Sequence, residues 1–373
     1  MRKRLLTFAA IGMLATATMT ACDNSDTTSA ASSSTTTLGK GDGKARVGVV
    51  LPDTVSSTRW KTDDPKYLKA AFAAAGVPVE IENAEGNAAD FVKIAQNMAD
   101  SGVKVLIIAN LDPDSGKAAL AAAKAKKIPT IDYDRLTLNG GADYYVSFDG
   151  NKVGELQAKG LAKCLTARRA TDPVIAELNG SPTDNNATLF KDGYDAVLQS
   201  RYDDADYTKG PDQWVPKWDP TQAEVIFAQM LSQRPDIGGV LSANDGMAGA
   251  VIKILKKHGR NGTVPVTGQD ATVPGLQAIL SGDQCVTIYK ANKKEADAAA
   301  DLAIKLFKGQ KPQLSSSSRL KDPESGAYVP FISLDPVAID KSNINVVVDE
   351  NFVTKKDLCT AAYARACTAA GIK

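Results

Sequence analysis

Val47-Gly48-Val49-Val50-Leu51 opens an alternation that decides the fold: it is followed by a helical pattern, then Val79-Glu80-Ile81, another helical pattern, and the run Val103 to Ala109. A continuous apolar run of this length is expected of a strand buried on both faces. The first helix is announced by Asp64-Pro65, a capping residue with proline at the first helical position. Its apolar face runs over Tyr67, Leu68, Ala71 and Phe72 to a stop at Gly76. Phe91 to Met98 predicts a second helix and Ser115 to Lys127 a third, with a strand following at Pro129 to Tyr133. Strands that alternate with helices in this way form βαβ units around a parallel sheet.

A second series begins near Phe148-Asp149-Gly150. Helices are expected at Val153–Leu165, Ala187–Gln199, after Asp219-Pro220-Thr221-Gln222, and at Met247–Lys257 and Val273–Leu280. Strands are expected at Val174–Leu178, Gly238–Ser242, Pro265–Thr267 and Val286–Tyr289. The ordered chain exceeds the size at which one core keeps growing, so two α/β lobes are predicted. The Ser315–Ser318 run and Val329-Pro330-Phe331 read as late connections where the chain crosses back between them.

The N-terminus reads as an export signal. Arg2-Lys3-Arg4 precedes a mostly apolar stretch from Leu5 to Ala17, and Met19-Thr20-Ala21 leads into Cys22, the pattern of a bacterial lipobox. Residues 1–21 are read as a lipoprotein signal peptide and Cys22 as the acylated first residue of the mature chain. Residues 22–43 are nearly all small or polar and read as a flexible tether. Cleavage removes three basic residues, so 44 − 3 = 41 Lys and Arg face 43 Asp and Glu, a net charge of −2. Such a balance, without a basic run after residue 4, argues against nucleic acid as a partner.

Four further cysteines, Cys164, Cys285, Cys359 and Cys367, fit an oxidising compartment. Across a continuous helix Cys359 and Cys367 would stand about 12 Å apart, too far to bridge. A short or broken helix over 357–368 would let them pair, with Cys164 and Cys285 as the second pair. The spacing alone leaves the connectivity open. Structural zinc is set aside because no CxxC pair exists and the single histidine is His258.

Six polar clusters fall where strands end: Arg59-Trp60, Asp134-Arg135, Asp184-Asn185-Asn186, Asn244-Asp245, Asp270 and Lys290. Ligands of open α/β sheets bind outside the carboxyl ends of the strands. Taken singly, an Asp or Asn there is more often a helix cap or turn former. Arg and Trp are not turn residues, and Trp214 in Asp212-Gln213-Trp214 has the same exposed placing. Asp134, Asp184 and Asp270 balance Arg59, Arg135 and Lys290, which leaves a neutral site rich in donors and acceptors beside flat aromatics. A neutral polyol, a sugar, suits it best. His258 sits in Lys-Lys-His-Gly-Arg at a helix end, so a hydrolytic triad lacks its base. Neither GxGxxG after a strand nor a Walker A sequence is present. A glycosidase pair among Asp134, Asp184 and Asp270 is disfavoured, because Arg135 and Lys290 beside them keep carboxylates ionised.

Tyr133-Asp134-Arg135-Leu136, Val146-Ser147-Phe148-Asp149, Val153 to Lys159, Gly180 to Ala187, Asp212-Gln213-Trp214, Asn244-Asp245, Gly268-Gln269-Asp270-Ala271 and Tyr289-Lys290, with Arg59-Trp60, resemble the D-xylose-binding proteins of bacterial ABC transporters. The likeness runs from about Lys44 to Phe352. It implies a type I periplasmic-binding-protein fold, two Rossmann-like lobes with parallel sheets joined by three hinge crossovers and closing on one sugar. It also implies a monomer without cofactor or catalysis. Its partners would be a monosaccharide and the permease subunits, while the export signal and Cys22 would hold it by a lipid anchor at the outer face of the cell membrane, periplasmic or on the cell surface.

The lobes would be 44–148 with 292–330, and 149–291 with 331–373. The ligand residues carry over as Arg59, Trp60, Asp134, Arg135, Asp184, Asn186, Trp214, Asn244, Asp270 and Lys290. Trp218-Asp219-Pro220 and Gly268 through Pro274 are more similar to a sister group that binds several aldoses, glucose and galactose included. Val353 to Lys373 lies outside the pattern. A receptor that presents sugar to a chemoreceptor or sensor kinase would share fold and pocket, and the residues do not separate the two roles.

Overall fold

The computed structural model describes residues 44–372 other than 316 and 317, so the signal, the lipobox cysteine and the tether lie outside the described residues. The first sheet grows from the predicted alternation. Strand β1 (Arg46–Leu51) leads to helix α1 (Asp63–Ala74), β2 (Val79–Asn83), α2 (Ala88–Asp100), β3 (Val103–Ile108), α3 (Pro113–Ala125), β4 (Thr130–Tyr133) and β5 (Tyr144–Phe148). Strands β1 and β3 are central and, apart from Arg46 and the exposed Lys104, buried, which is why they read as largely apolar runs. The edge strand β2 is half-buried throughout and carries Glu80 and Glu82.

Asp64, read in the sequence as a cap, lies inside the first turn of α1. Its carboxylate is taken by the Arg59 guanidinium, so the helix begins at Asp63 without a side-chain cap. By contrast α3 starts as its sequence demands: Asp112 accepts from the Ser115 amide at 2.8 Å and Pro113 fills the first helical position.

The chain crosses to the second lobe at Asp149 and builds α4 (Gly150–Ala167), β6 (Val174–Asn179), α5 (Asn185–Asp203), β7 (Thr208–Trp214), α6 (Pro220–Gln233), β8 (Ile237–Ser242), α7 (Asp245–Lys257), β9 (Thr267–Gln269), α8 (Val273–Ser281) and β10 (Val286–Tyr289). Helix α9 (Asn292–Phe307) then returns to pack on α1 in the first lobe, followed by β11 (Arg319–Lys321) and β12 (Tyr328–Leu334). A third crossing leads to β13 (Val337–Ile339) and a tail of short helices, α10 (Asn345–Asp349), α11 (Lys355–Leu358) and α12 (Ala364–Ala369).

The first sheet runs β11-β12-β5-β4-β3-β1-β2 and is parallel except for the terminal β11–β12 pair. The second lobe holds parallel β7-β6-β8 and the set β13-β10-β9, linked by a bridge between Val240 and Val266. Separate apolar cores flank the two sheets. One centres on Val47, Phe72 and Ile107, another on Leu161, Phe227 and Leu255.

Two sequence readings change here. Val329-Pro330-Phe331 is not the last connection, because β12 pairs Phe331 to Leu334 in parallel with Tyr145 to Phe148. The crossing falls at Asp335-Pro336, four residues later than the boundary at 330. Gly210 and Pro211 give Asp212-Gln213-Trp214 the look of a loop, yet the segment is strand. It ends β7, which can tolerate proline because it lies at the sheet edge.

The cysteines join Cys164 on α4 to Cys285 before β10, with Cα atoms 6.4 Å apart, and Cys359 to Cys367 at 5.9 Å. The second bridge spans the gap between α11 and α12, where the helix is interrupted. The tail buries Ile344, Val347 and Leu358 against Leu276, Ile279 and Tyr289 of the second lobe.

Candidate functional site

The loops that leave β1 and β4 of the first lobe meet those that leave β6, β8, β9 and β10 of the second, and they enclose a cleft. Nine of the ten candidate ligand residues line it: Arg59, Trp60, Asp134, Arg135, Asp184, Asn186, Asn244, Asp270 and Lys290. Trp214 does not. It ends the edge strand β7 half-buried against the second lobe's core, and the tryptophan that reaches the cleft is Trp218, beyond the turn that follows β7. The cleft is completed by Ser56, Ser57, Phe190 and Gln269. Adjacency could have found three of these, since Ser56-Ser57 precede Arg59 and Gln269 precedes Asp270. Phe190 stands one helical turn after Asn186 on α5, a spacing that shares a face.

Asp134 is the hub. It sits just after β4 with φ +62°, in the left-handed region that short polar residues tolerate best. Its Oδ2 accepts from Arg59 Nη1 at 2.8 Å and from Lys290 Nζ at 3.1 Å. Asn186 Nδ2, from the other lobe, donates to the Asp134 carbonyl at 2.9 Å and to Oδ1 at 3.3 Å. Tyr145 and Ser147 hydroxyls on β5 hold the same carbonyl at 2.9 and 2.8 Å. Burial would raise this carboxyl, but Lys290, Arg59 and Arg135 outweigh it and hold it well below the usual carboxylate range.

Capping a helix and lining the cleft are not alternatives here. Asp184 caps α5, its Oδ1 accepting from the Asn186 amide at 2.9 Å. Its Oδ2 accepts from Trp218 Nε1 at 3.1 Å and pairs with Arg135 Nε at 3.1 Å. Asn244 likewise caps α7 through Oδ1 while its amide nitrogen reaches Ser56 O at 3.5 Å across the cleft. Its neighbour Asp245 turns inward instead and accepts from the Thr272 amide and from Gln284 at 2.8 Å each. The loops after β8 and β9 are fixed from below by buried Gln157, whose amide nitrogen lies 3.1–3.3 Å from Ser242, Ala243 and Gly268 carbonyls.

Arg59 lies over the Trp60 ring, its guanidinium carbon 4.4 Å from the centroid, with Arg135 at 5.4 Å. The charge balance read from the sequence holds for the cleft walls but not behind them. Arg59 is also gripped by Asp64 through Nε and Nη2 at 2.8 and 2.7 Å, and by Glu295 at 2.6 Å. Five carboxyls thus serve three cations. Burial raises Glu295 despite Arg59, so it retains its proton more readily than an ordinary carboxyl. Two buried donors and acceptors on cleft residues, Trp60 Nε1 and Gln269 Oε1, have no partner among the described residues. Such groups are costly unless a ligand or water meets them.

Burial also pushes Asp132, under the Asp134 loop, and Asp245 up to about 7. An acid raised in the folded state adds stability below its unfolded value, near 3.8, and loses it as pH rises through the folded value. Asp134, being depressed, acts only at the acid end below that window. The melting temperature should therefore fall between about pH 4 and pH 7 at constant ionic strength. A flat or rising profile in thermal melts would contradict these assignments.

Comparison with known proteins agrees with the fold. Residues 47–311 match the model of the periplasmic binding protein domain. The D-xylose-binding periplasmic protein of Haemophilus influenzae is 33% identical over 319 residues, covering 84% of this chain and 92% of that protein. A multiple sugar-binding periplasmic receptor of Rhizobium radiobacter is 34% identical over 330 residues, covering 84% and 92%. The crystal structure of a carbohydrate transporter solute binding protein from Chloroflexus aurantiacus, in complex with D-glucose, superposes with a TM-score of 0.76 at 27% identity. It covers 84% of this chain and 98% of that one. With its two parallel-sheet lobes and three crossings, the chain belongs to the periplasmic binding protein family, a family of solute-binding proteins and not of enzymes.

Proposed function

We propose that this chain captures a monosaccharide outside the cytoplasmic membrane, D-xylose first, and delivers it to the permease of an ABC importer. The observation that carries the reading is the convergence of nine polar and aromatic residues from both lobes on one buried cleft. The H. influenzae relative, named for D-xylose, supports the choice of sugar. Trp60 and Trp218 would cover the faces of a pyranose ring. The carboxylates of Asp134, Asp184 and Asp270 would accept from its hydroxyls, Arg59, Arg135 and Lys290 would donate to them, and Asn186 and Asn244 would do both.

The cleft encloses about 30 Å³, roughly one water's share of the liquid. A sugar ring would thus enter only when the lobes part and contacts such as Asn186–Asp134 and Arg135–Asp184 give way. The moving bodies on this reading are 44–148 with 292–334, and 149–291 with 335–373, in a monomer. A sugar touching both would favour the closed state by its differential affinity, and the permease would read that shape.

Cys22, after Met19-Thr20-Ala21, would anchor the mature chain through its acyl groups. Cys22→Ser should then release the protein from the membrane fraction or leave its signal uncleaved. Unchanged fractionation and processing would remove the anchor from the reading.

A broader specificity is the second reading. The cleft tryptophan is Trp218, in the segment similar to the multi-sugar group, and the R. radiobacter receptor is as near in sequence as the xylose protein. Calorimetric titration separates the two. D-xylose is expected to bind more tightly than D-glucose, which carries an extra hydroxymethyl at ring carbon 5. Equal or tighter glucose binding would move the protein to the multi-sugar group, and no heat with any aldose would refute sugar binding.

A further inference from the structure

On the side of the cleft away from the three crossings lies a second, larger cavity of about 510 Å³. It shares Ser56, Arg135, Asp184 and Trp218 with the inner cleft, so these side chains border both spaces. Loops after β1, β2 and β3 wall it on one side, and loops after β6 and β7 on the other.

Its lining is amphipathic. Val55, which is 65% exposed and is among the few large apolar side chains so open to solvent, borders it with Leu111, Pro182 and Pro216. Of its carboxylates, four are engaged by backbone amides, Asp184 by that of Asn186 as described above. Asp53 holds Val55 and Ser56, Asp112 holds Ser115, and Asp219 holds Thr221. Glu85 accepts from the Thr54 hydroxyl at 3.0 Å and keeps acceptor capacity, while the Lys217 ammonium has no ion-pair partner among the described residues. Such walls disfavour an anion, and they offer apolar patches together with one acceptor and one donor.

The backbone at the mouth is strained. Lys217 and Trp218 are consecutive non-glycine residues with φ +57° each, in the left-handed region. Such conformations persist only where surrounding packing enforces them, and they gather at ligand sites. Here the strained pair puts Trp218 in the wall between the two spaces and Lys217 beside the outer one.

We propose that the outer cavity is a second sugar subsite, so that the protein takes neutral disaccharides, with one ring in the cleft and the other at Val55, Glu85 and Lys217. The proposal rests on the sugar-binding reading above and extends its ligand from a single ring to two. Apolar walls would meet the C–H face of the outer ring, while Glu85 and Lys217 would meet its hydroxyls.

The test is calorimetry on the full mature protein with D-xylose, D-glucose, xylobiose and cellobiose, repeated with Val55→Arg. Val55 is exposed and outside the inner cleft, so this change should leave folding and monosaccharide affinity unaltered. At least one disaccharide is expected to bind within about tenfold of its monosaccharide, and V55R to weaken it by about tenfold or more. If a monosaccharide binds and both disaccharides fail, the cavity holds only water and the subsite is refuted while the sugar-binding reading stands. Disaccharide affinity that is indifferent to V55R would place the second ring elsewhere and equally refute it. If no sugar of either kind binds, both readings fall together.

Discussion

Asp134→Ala is expected to abolish useful sugar affinity, with a loss of about 3–5 kcal/mol, or two to three and a half orders of magnitude in Kd. The carboxylate receives Arg59, Lys290 and Asn186 at once, and it is nearly excluded from solvent. Its loss affects the three donors unequally. Arg59 keeps Asp64 and Glu295, so it stays charged and in place. Among the described residues Lys290 keeps Asp270 at 3.7 Å and the Phe190 ring at 5.9 Å, contacts too weak to compensate a buried ammonium. The variant therefore removes an acceptor and also unbalances the cation beside it. Asp134→Asn separates the two effects, since it preserves shape and one acceptor but not the charge. It should bind sugar poorly while melting closer to the parent than Asp134→Ala does. Calorimetry with parallel thermal melts checks both, and an alanine variant within about threefold of the parent Kd would show that Asp134 is no ligand contact.

Much of this fold could be read before any coordinates, because buried parallel strands must be apolar on both faces and the helices between them carry caps and stops. Strand β1, α3 and α6 follow directly from such signals. What failed was local chemistry overruled by partners distant in sequence. Asp64-Pro65 has the pattern of a helix start, yet Arg59 claims the carboxylate. Gly210-Pro211 punctuates like a loop, yet its strand lies at a sheet edge where a missing N–H costs nothing.

The site divides in the same way. Residues immediately after strands line the cleft, because a parallel sheet brings those positions together whatever the loops do. Glu295 could not be found, since it lies on α9 and reaches Arg59 across 236 positions. Nor could the sequence alone separate Asn244 from Asp245. One caps its helix facing the cleft and the other turns inward, a distinction made by α7 packing against the loop after β9.

The tryptophans give the sharpest test, because the sequence reading and the coordinates name different ones. Trp218→Ala should weaken sugar binding by about two orders of magnitude, whereas Trp214→Ala should change it less than about threefold. Trp218 is only 6% exposed, donates to Asp184 at 3.1 Å, and meets Phe190 edge-on with centroids 6.2 Å apart. Removing it deletes a cleft wall and frees Asp184 to turn toward Arg135 alone. Trp218→Phe would keep a ring but not the indole N–H, so it should recover part of the loss. Truncating a buried tryptophan also costs fold stability, on the order of 3 kcal/mol, so a second variant is needed that leaves the indole in the chain. Gly180 provides it. A Cβ there would run into the Trp218 ring, so Gly180→Ala must push the indole aside. If Trp218 covers one face of the sugar, Gly180→Ala weakens binding in the same direction while every ligand-contacting side chain remains. Trp214→Ala losing more affinity than Trp218→Ala would return the stacking role to β7 and overturn the cleft as described.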